Sequence, residues 1–140
     1  MTSISLEQAQ TIVSKALEEG RAIGLKPLSV AVLDAGGHLV AFAREDASST
    51  LRPQIAVAKA SGALALGVSS RVIGVMAIER PTFINAAASL NASGIVPAAG
   101  GLLIKSGNEI IGAVGVTGDH SDNDEKCAAA GIIAAGLTYE

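Results

Sequence analysis

Two histidines, His38 and His120, are the only imidazoles in the chain, and each stands where chemistry is possible. His38 follows the pair Gly36-Gly37 at the start of an apolar run, a turn position that presents a ring nitrogen to a metal. A surface histidine at a hairpin end is the plainer reading. His120 lies between Asp119 and Asp122 in a polar stretch, where acid/base work is geometrically easy. Asp119, Asp122, Asp124 and Glu125 add an oxygen-rich cluster that suits a hard cation. Asp122 and Glu125 are the metal candidates, although their spacing lacks the central glycine and closing glutamate of a calcium loop. They also fit the cap of a following helix.

Arg52 and Lys59 fall two turns apart on one helix face, a spacing that can clamp a carboxylate, since Arg offers a planar two-pronged donor. A pair of solvated charges fits the same spacing. Arg71, beside an expected helix start, has the same two readings. Gly100-Gly101 and Gly115-x-x-Gly118 have the glycine content of phosphate loops, but neither is a P-loop, and no dinucleotide fingerprint is present. Close packing of backbones explains them equally. Cys127, the single cysteine, falls near a helix start, where a thiolate is favoured; a small buried hydrophobe is the simpler role.

The elements that must position these side chains follow from periodicity. Ser5-Leu6-Glu7-Gln8 fits a capping box, and Leu6, Ala9, Ile12, Val13, Ala16 and Leu17 recur at helical spacing to about Gly20 or Gly24. Leu28 to Leu33 reads as a strand, Asp34-Ala35-Gly36-Gly37 as a turn, and His38 to Arg44 as the return strand. A helix opens at Leu51-Arg52-Pro53, with proline in the tolerated first turn, and carries a small-residue face through Ala56, Ala60, Ala63 and Gly67. Shorter helices are expected over Arg71–Glu79, capped by Ser70, and from Pro81 to about Leu90. Leu102 to Lys105 and Ile110 to Thr117 form a second hairpin around Ser106-Gly107-Asn108-Glu109. The last strand, buried on both faces by its composition, feeds a polar loop and a final alanine-rich helix to about Leu137. Free backbone N–H groups at such a strand-to-helix junction favour a ligand. Two hairpins separated by helices require an antiparallel sheet, with a further strand expected near residues 95–98, and helices packed on it.

At 140 residues the chain is read as one domain spanning 1–140, large enough to bury a core without disulfides. Hydrophobic residues make up 49% and aromatics only 2%, so that core must be built from Ala, Val, Ile and Leu. A net charge of −3 without a basic stripe or stacking aromatics disfavours nucleic acid. No apolar run of about 18 residues free of charge and glycine occurs, so no membrane span is expected. Met1-Thr2-Ser3-Ile4-Ser5 lacks the basic start and apolar core of a signal peptide. With a lone cysteine, the expectation is a soluble, cytoplasmic protein.

The segments Val30 to Arg44, Ile55-Ala56-Val57-Ala58-Lys59-Ala60, Gly100-Gly101 and Ile111 to Gly118 with Asp124-Glu125 together resemble the GlcG/HbpS family. This haem-degrading-domain-like group includes the C-terminal domain of PduO-type corrinoid adenosyltransferases. The resemblance runs in order along nearly the whole chain. It implies an α/β (α+β) profilin-like sandwich, an antiparallel sheet of about five strands with helices on both faces. It also implies homo-oligomers, dimer-based, as tetramers or octamers. Some members of the family bind haem or related tetrapyrroles, a secreted one binds iron and senses redox stress, and others lie in catabolic gene clusters, including glycolate use. Where the family has Gly-Val-Ser-Gly-Gly, this chain has Gly115-Val116-Thr117-Gly118-Asp119, which adds a carboxylate.

The expected function is therefore binding of a small molecule or cofactor, haem first, in association with a catabolic pathway. The positions expected to contact a cofactor are His38, Arg52, Lys59, Gly100, Gly101 and Thr117, with His38 and Thr117 as the haem-ligand positions to test. The alternative is an enzyme of small-molecule catabolism, of lyase, isomerase or hydrolase type, acting on an anionic substrate at an inter-subunit pocket. Asp119 or His120 would then be its acid/base and Arg52 or Lys59 its anion anchor. A third reading, an assembly partner without ligand chemistry, rests on the smooth Ala/Gly faces.

Overall fold

The computed structural model describes residues 3–140. In chain order its elements are α1 (Leu6–Ala22), β1 (Ser29–Asp34), β2 (Leu39–Arg44), α2 (Arg52–Leu66), α3 (Ser70–Glu79), α4 (Pro81–Leu90), β3 (Gly101–Ser106), β4 (Glu109–Thr117), α5 (Ser121–Ala134) and β5 (Thr138–Tyr139). All strand pairs are antiparallel, in the order β2-β1-β4-β3-β5. Helices cover both faces, so the profilin-like sandwich is the fold.

Local chemistry sets the element ends. The Ser5 Oγ accepts from Gln8 N at 3.1 Å while Gln8 Oε1 accepts from Ser5 N at 3.0 Å, the reciprocal box that starts α1. Asp34 Oδ1 accepts from Gly36 N and His38 N and closes the first hairpin, with Gly37 at φ 86°. Ser69 rather than Ser70 caps α3, by accepting from Val72 N. The Ser70 hydroxyl turns inward and accepts from Gly101 N at 2.7 Å, tying α3 to the first residue of β3.

The strand expected near residues 95–98 does not form. Pro97 has no N–H to give a ladder, and this stretch instead packs on two helix glycines, Ile95 against Gly62 and the Pro97 carbonyl against Gly74. The fifth strand comes from the chain's end, where Tyr139 pairs with Ile104 and Thr138 with Lys105.

Central β1 and β4 are buried on both faces, and alternation divides their side chains between two cores. Val30, Val32, Val114 and Val116 pack with Ile12, Ala16 and Ile132 under α1 and α5. Leu33 and Ala113 pack with Ala60, Ala63 and Leu103 under α2. Burying a side chain such as Leu33 or Leu103 completely stabilises the fold by about 1.5–3 kcal/mol. Odd-numbered positions of β1, and of β4 from Ala113 on, therefore face α2, including Ser29 and Thr117 at one end of the sheet. No single helix among the described residues is long and apolar enough to cross a membrane.

Candidate functional site

Helix α2 lies directly on β4 and β3 because glycine lets the backbones touch. A Cβ on Gly115 would stand 1.9 Å from the Ala56 carbonyl oxygen. At Gly100 it would meet Lys59 Nζ at 2.8 Å, and at Gly101 the Lys59 carbonyl oxygen at 2.4 Å. The two glycines thus make room for Lys59, whose side chain is only 3% exposed. Its Nζ donates to the Val116 carbonyl at 2.9 Å and to Asp124 Oδ2 at 3.3 Å. Asp124, 1% exposed, accepts from Asp119 N through its other oxygen. Burial holds the Lys59 ammonium below its usual range and the Asp124 carboxyl above it, while each partner's charge opposes that drift.

Arg52 enters the same region from the first residue of α2. Its Nη1 donates to Thr117 Oγ1 at 2.8 Å, and its positive charge lies near enough to depress Lys59 further. Ser29 is the register partner of Thr117 and faces the same side. The Ser29 hydroxyl is fully buried and finds no hydrogen-bond partner among the described residues.

The loop after β4 is occupied by its own carboxylates. Asp119 Oδ1 accepts from Asn123 Nδ2 and from His120 N, and Oδ2 accepts from Lys26 N across 93 positions of chain. Those donors, Asn123 first, lower its pKa to about 2. A carboxylate held so strongly ionised serves as an acceptor and not as a proton donor near neutrality. His120 is exposed and supplies the N-cap backbone of α5 without a side-chain cap bond. The cap expected from Asp122 and Glu125 is not made; both turn to Arg71 on α3, Glu125 at 3.1 Å. Among the described residues no three His, Cys, Asp or Glu side chains gather as a metal site. Cys127 is buried, and burial raises its thiol to about 11, which leaves it protonated and inert.

His38 stands apart, at the opposite end of β1 from Ser29, about 17 Å of strand away. Its Nδ1 lies 3.1 Å from Asp34 Oδ1, and its side chain is 81% exposed. Asp34 is held below its usual carboxylate range, chiefly by the His38 backbone N–H, with the ring adding to the effect. A carboxylate on Nδ1 fixes the ring's orientation, the arrangement common behind metal-bound histidines. The same hairpin borders a groove of 240 Å³ with Ser61, Leu64, Ala65 and Asn91. Ala65 and Asn91 also line a mainly apolar groove of 370 Å³ with Leu66, Phe83, Leu90 and Ile95, between α2 and α4.

The expected residues therefore divide. Arg52, Lys59, Gly100, Gly101 and Thr117 gather where α2 lies on the ends of β3 and β4, Asp119 belongs with His120 to the start of α5, and His38 serves the other end of the sheet. Three roles go beyond the sequence reading. The pairing of Asp124 with Lys59 has no local signature. From its sequence context Asp34 reads only as a turn former. Ser29 left a signal, a lone hydroxyl inside the apolar run Leu28 to Leu33.

Residues 4–133 match the model of a family described as haem degrading protein HbpS-like. No curated protein matches at a significant level. Among solved structures, a double mutant of Streptomyces reticuli HbpS is 25% identical, with a TM-score of 0.83 over 95% of this chain and 87% of that one. The PduOC:heme complex is 20% identical, with a TM-score of 0.85 over 96% of each chain. Klebsiella pneumoniae ORFY is 23% identical, with a TM-score of 0.88 over 97% and 92%. These last two show likeness of fold.

Proposed function

The chain belongs to the HbpS-like family of haem degrading proteins, and from that premise we propose that it binds haem or a related tetrapyrrole at the His38 end of the sheet. The observation that carries this reading is the exposed His38, hydrogen-bonded through Nδ1 to Asp34, on a hairpin whose turn lines one groove, which shares Ala65 and Asn91 with the apolar groove of Phe83, Leu90 and Ile95. A flat apolar macrocycle needs such a wall, and its iron takes an imidazole nitrogen as axial ligand. That a structurally similar protein is a heme complex supports the choice of ligand. A role in catabolism is part of this proposal and rests on the resemblance alone. As an enzyme, the site at the other end has its groups spent: Asp119 is fully hydrogen-bonded, and Lys59 and Asp124 hold each other.

Hemin titrated into purified protein is the test. A saturable Soret shift at micromolar hemin is expected, weakened at least about tenfold by His38→Ala and by Leu90→Asp, equivalent to losing one good contact each. Absence of saturation, or indifference to both substitutions, overturns the reading. Light scattering on the same samples reads assembly. Val72, Val75 and Ile78, the last 84% exposed, present an apolar face on α3 that supports a homo-oligomer. A mass at a multiple of 13.9 kDa is expected, and a monomer would rule that assembly out.

A further inference from the structure

We propose that the start of α2 is a binding site for the carboxylate of a small organic acid, separate from the His38 groove, formed by Arg52 with the hydroxyls of Ser29 and Thr117. Three independent facts point to a missing anion. Arg52 is half-buried with its guanidinium on Thr117, yet it pairs with no carboxylate among the described residues. The nearby acids are engaged elsewhere: Asp124 with Lys59, Asp119 with the start of α5, and Glu45 with Leu28 N and Arg21. The Ser29 hydroxyl is completely buried with no partner among the described residues, which is costly unless something completes it. Helix α2 also begins without a side-chain cap and with no acidic residue in its first turn, so its positive end is unscreened.

The donors match one chemical class. Thr117 Oγ1 accepts from Arg52, and its own proton is uncommitted among the described residues. Ser29 stands beside it at cross-strand distance, with Cβ atoms about 4.5–5.5 Å apart. Two hydroxyl donors and a planar guanidinium fit the two oxygens of a carboxylate. Phosphate fits less well, because Pro53 in the first turn removes one of the N–H groups that a phosphate cradle uses. The Arg52 guanidinium covers Thr117 Oγ1, so a ligand reaches that hydroxyl once this side chain rotates away, a fast rotamer change. Lys59 is already paired with Asp124 and is not one of the ligand's donors.

Acetate titrated into the intact protein, with acetamide as the neutral control, tests the site by NMR of the Thr117 methyl and the Arg52 side-chain N–H. Saturable shifts with acetate at millimolar concentration, and none with acetamide, are expected. Ser29→Ala and Arg52→Gln should each weaken binding about fivefold to tenfold, with a native circular dichroism spectrum confirming the fold. The hemin affinity of both variants should be unchanged. Equal acetate and acetamide responses, or undiminished acetate binding in both variants, would overturn the site. Loss of hemin binding in Arg52→Gln would overturn its separateness. A protein that ignores hemin but shows the acetate response refutes the haem reading and leaves this one standing.

Discussion

Helices α2 and α5 begin at the same end of the sheet, one on each face, and meet the electrostatics of a helix start in opposite ways. Helix α5 starts amid carboxylates, with Asp119 accepting three hydrogen bonds around its first turn and Asp124 accepting from Asp119 N. Helix α2 starts at Leu51 with no cap, a cation at its first residue and no acid in its first turn. The anion that stabilises a helix N-terminus is supplied by the chain at α5 and left to be supplied at α2. A self-sufficient end is structural, whereas an end left short of an anion is where a ligand gains most. The Lys59–Asp124 pair joins the two helices and separates the two situations.

The largest effect follows from breaking that pair. Asp124→Ala leaves the Lys59 ammonium buried without its counter-charge, and should cost about 3–5 kcal/mol in urea unfolding. The double substitution Lys59→Met with Asp124→Leu should recover most of that loss, because a well-packed apolar pair of similar volume replaces a buried ion pair with little penalty. If Asp124→Ala unfolds within about 1 kcal/mol of the wild type, the pair is solvated and the division between the two helix starts dissolves.

A smaller and pH-dependent effect separates the two aspartates of the α5 start. Asp119 is held at about 2 in the folded chain against an ordinary value of 3.8. Its stabilisation is therefore present above pH 3.8 and is lost as the pH falls through about 2. Asp124 is shifted upward by burial and contributes with the opposite sign, binding its proton more readily folded than unfolded. Asp119→Asn should flatten the acid limb of the stability curve between about pH 4 and 2 and remove part of the stability at neutrality. An acid limb with unchanged slope would show that Asp119 is not what ties the α5 start to Lys26.

Much of this frame was legible in the sequence because it is written locally. The Ser5/Gln8 box, the Asp34–Gly37 turn and Pro53 each act within a few residues, and the small-residue, two-sided run of β4 announced its burial. The site was harder to read because α2 is built from Ala, Gly and Val on most sides, so its periodicity does not reveal which face is buried. Lys59 and Arg52, spaced for one face, go to different fates: one is sealed by a carboxylate 65 positions away, the other stops at the rim on Thr117. The glycines at 100, 101 and 115 were the clue, since backbone contact across a helix and a sheet is what forces a long side chain between them to be buried.

The smallest effect concerns the other contact that ties down the α5 start. Arg71 reaches from α3 to Asp122 and Glu125, two carboxylates that an inspection of ion pairs would count twice. Arg71 is half-exposed, Asp122 is 75% exposed, and water screens both interactions, although the paired acids raise the Arg71 pKa. Arg71→Ala should therefore cost no more than about 1 kcal/mol, and that cost should shrink further in molar salt. A helix start already satisfied by Asp119 and Asp124 has little left for a surface clamp to add. A loss well beyond that bound, or one indifferent to salt, would mean that α5 depends on α3 for its anchoring, and that its start is no more self-sufficient than the start of α2.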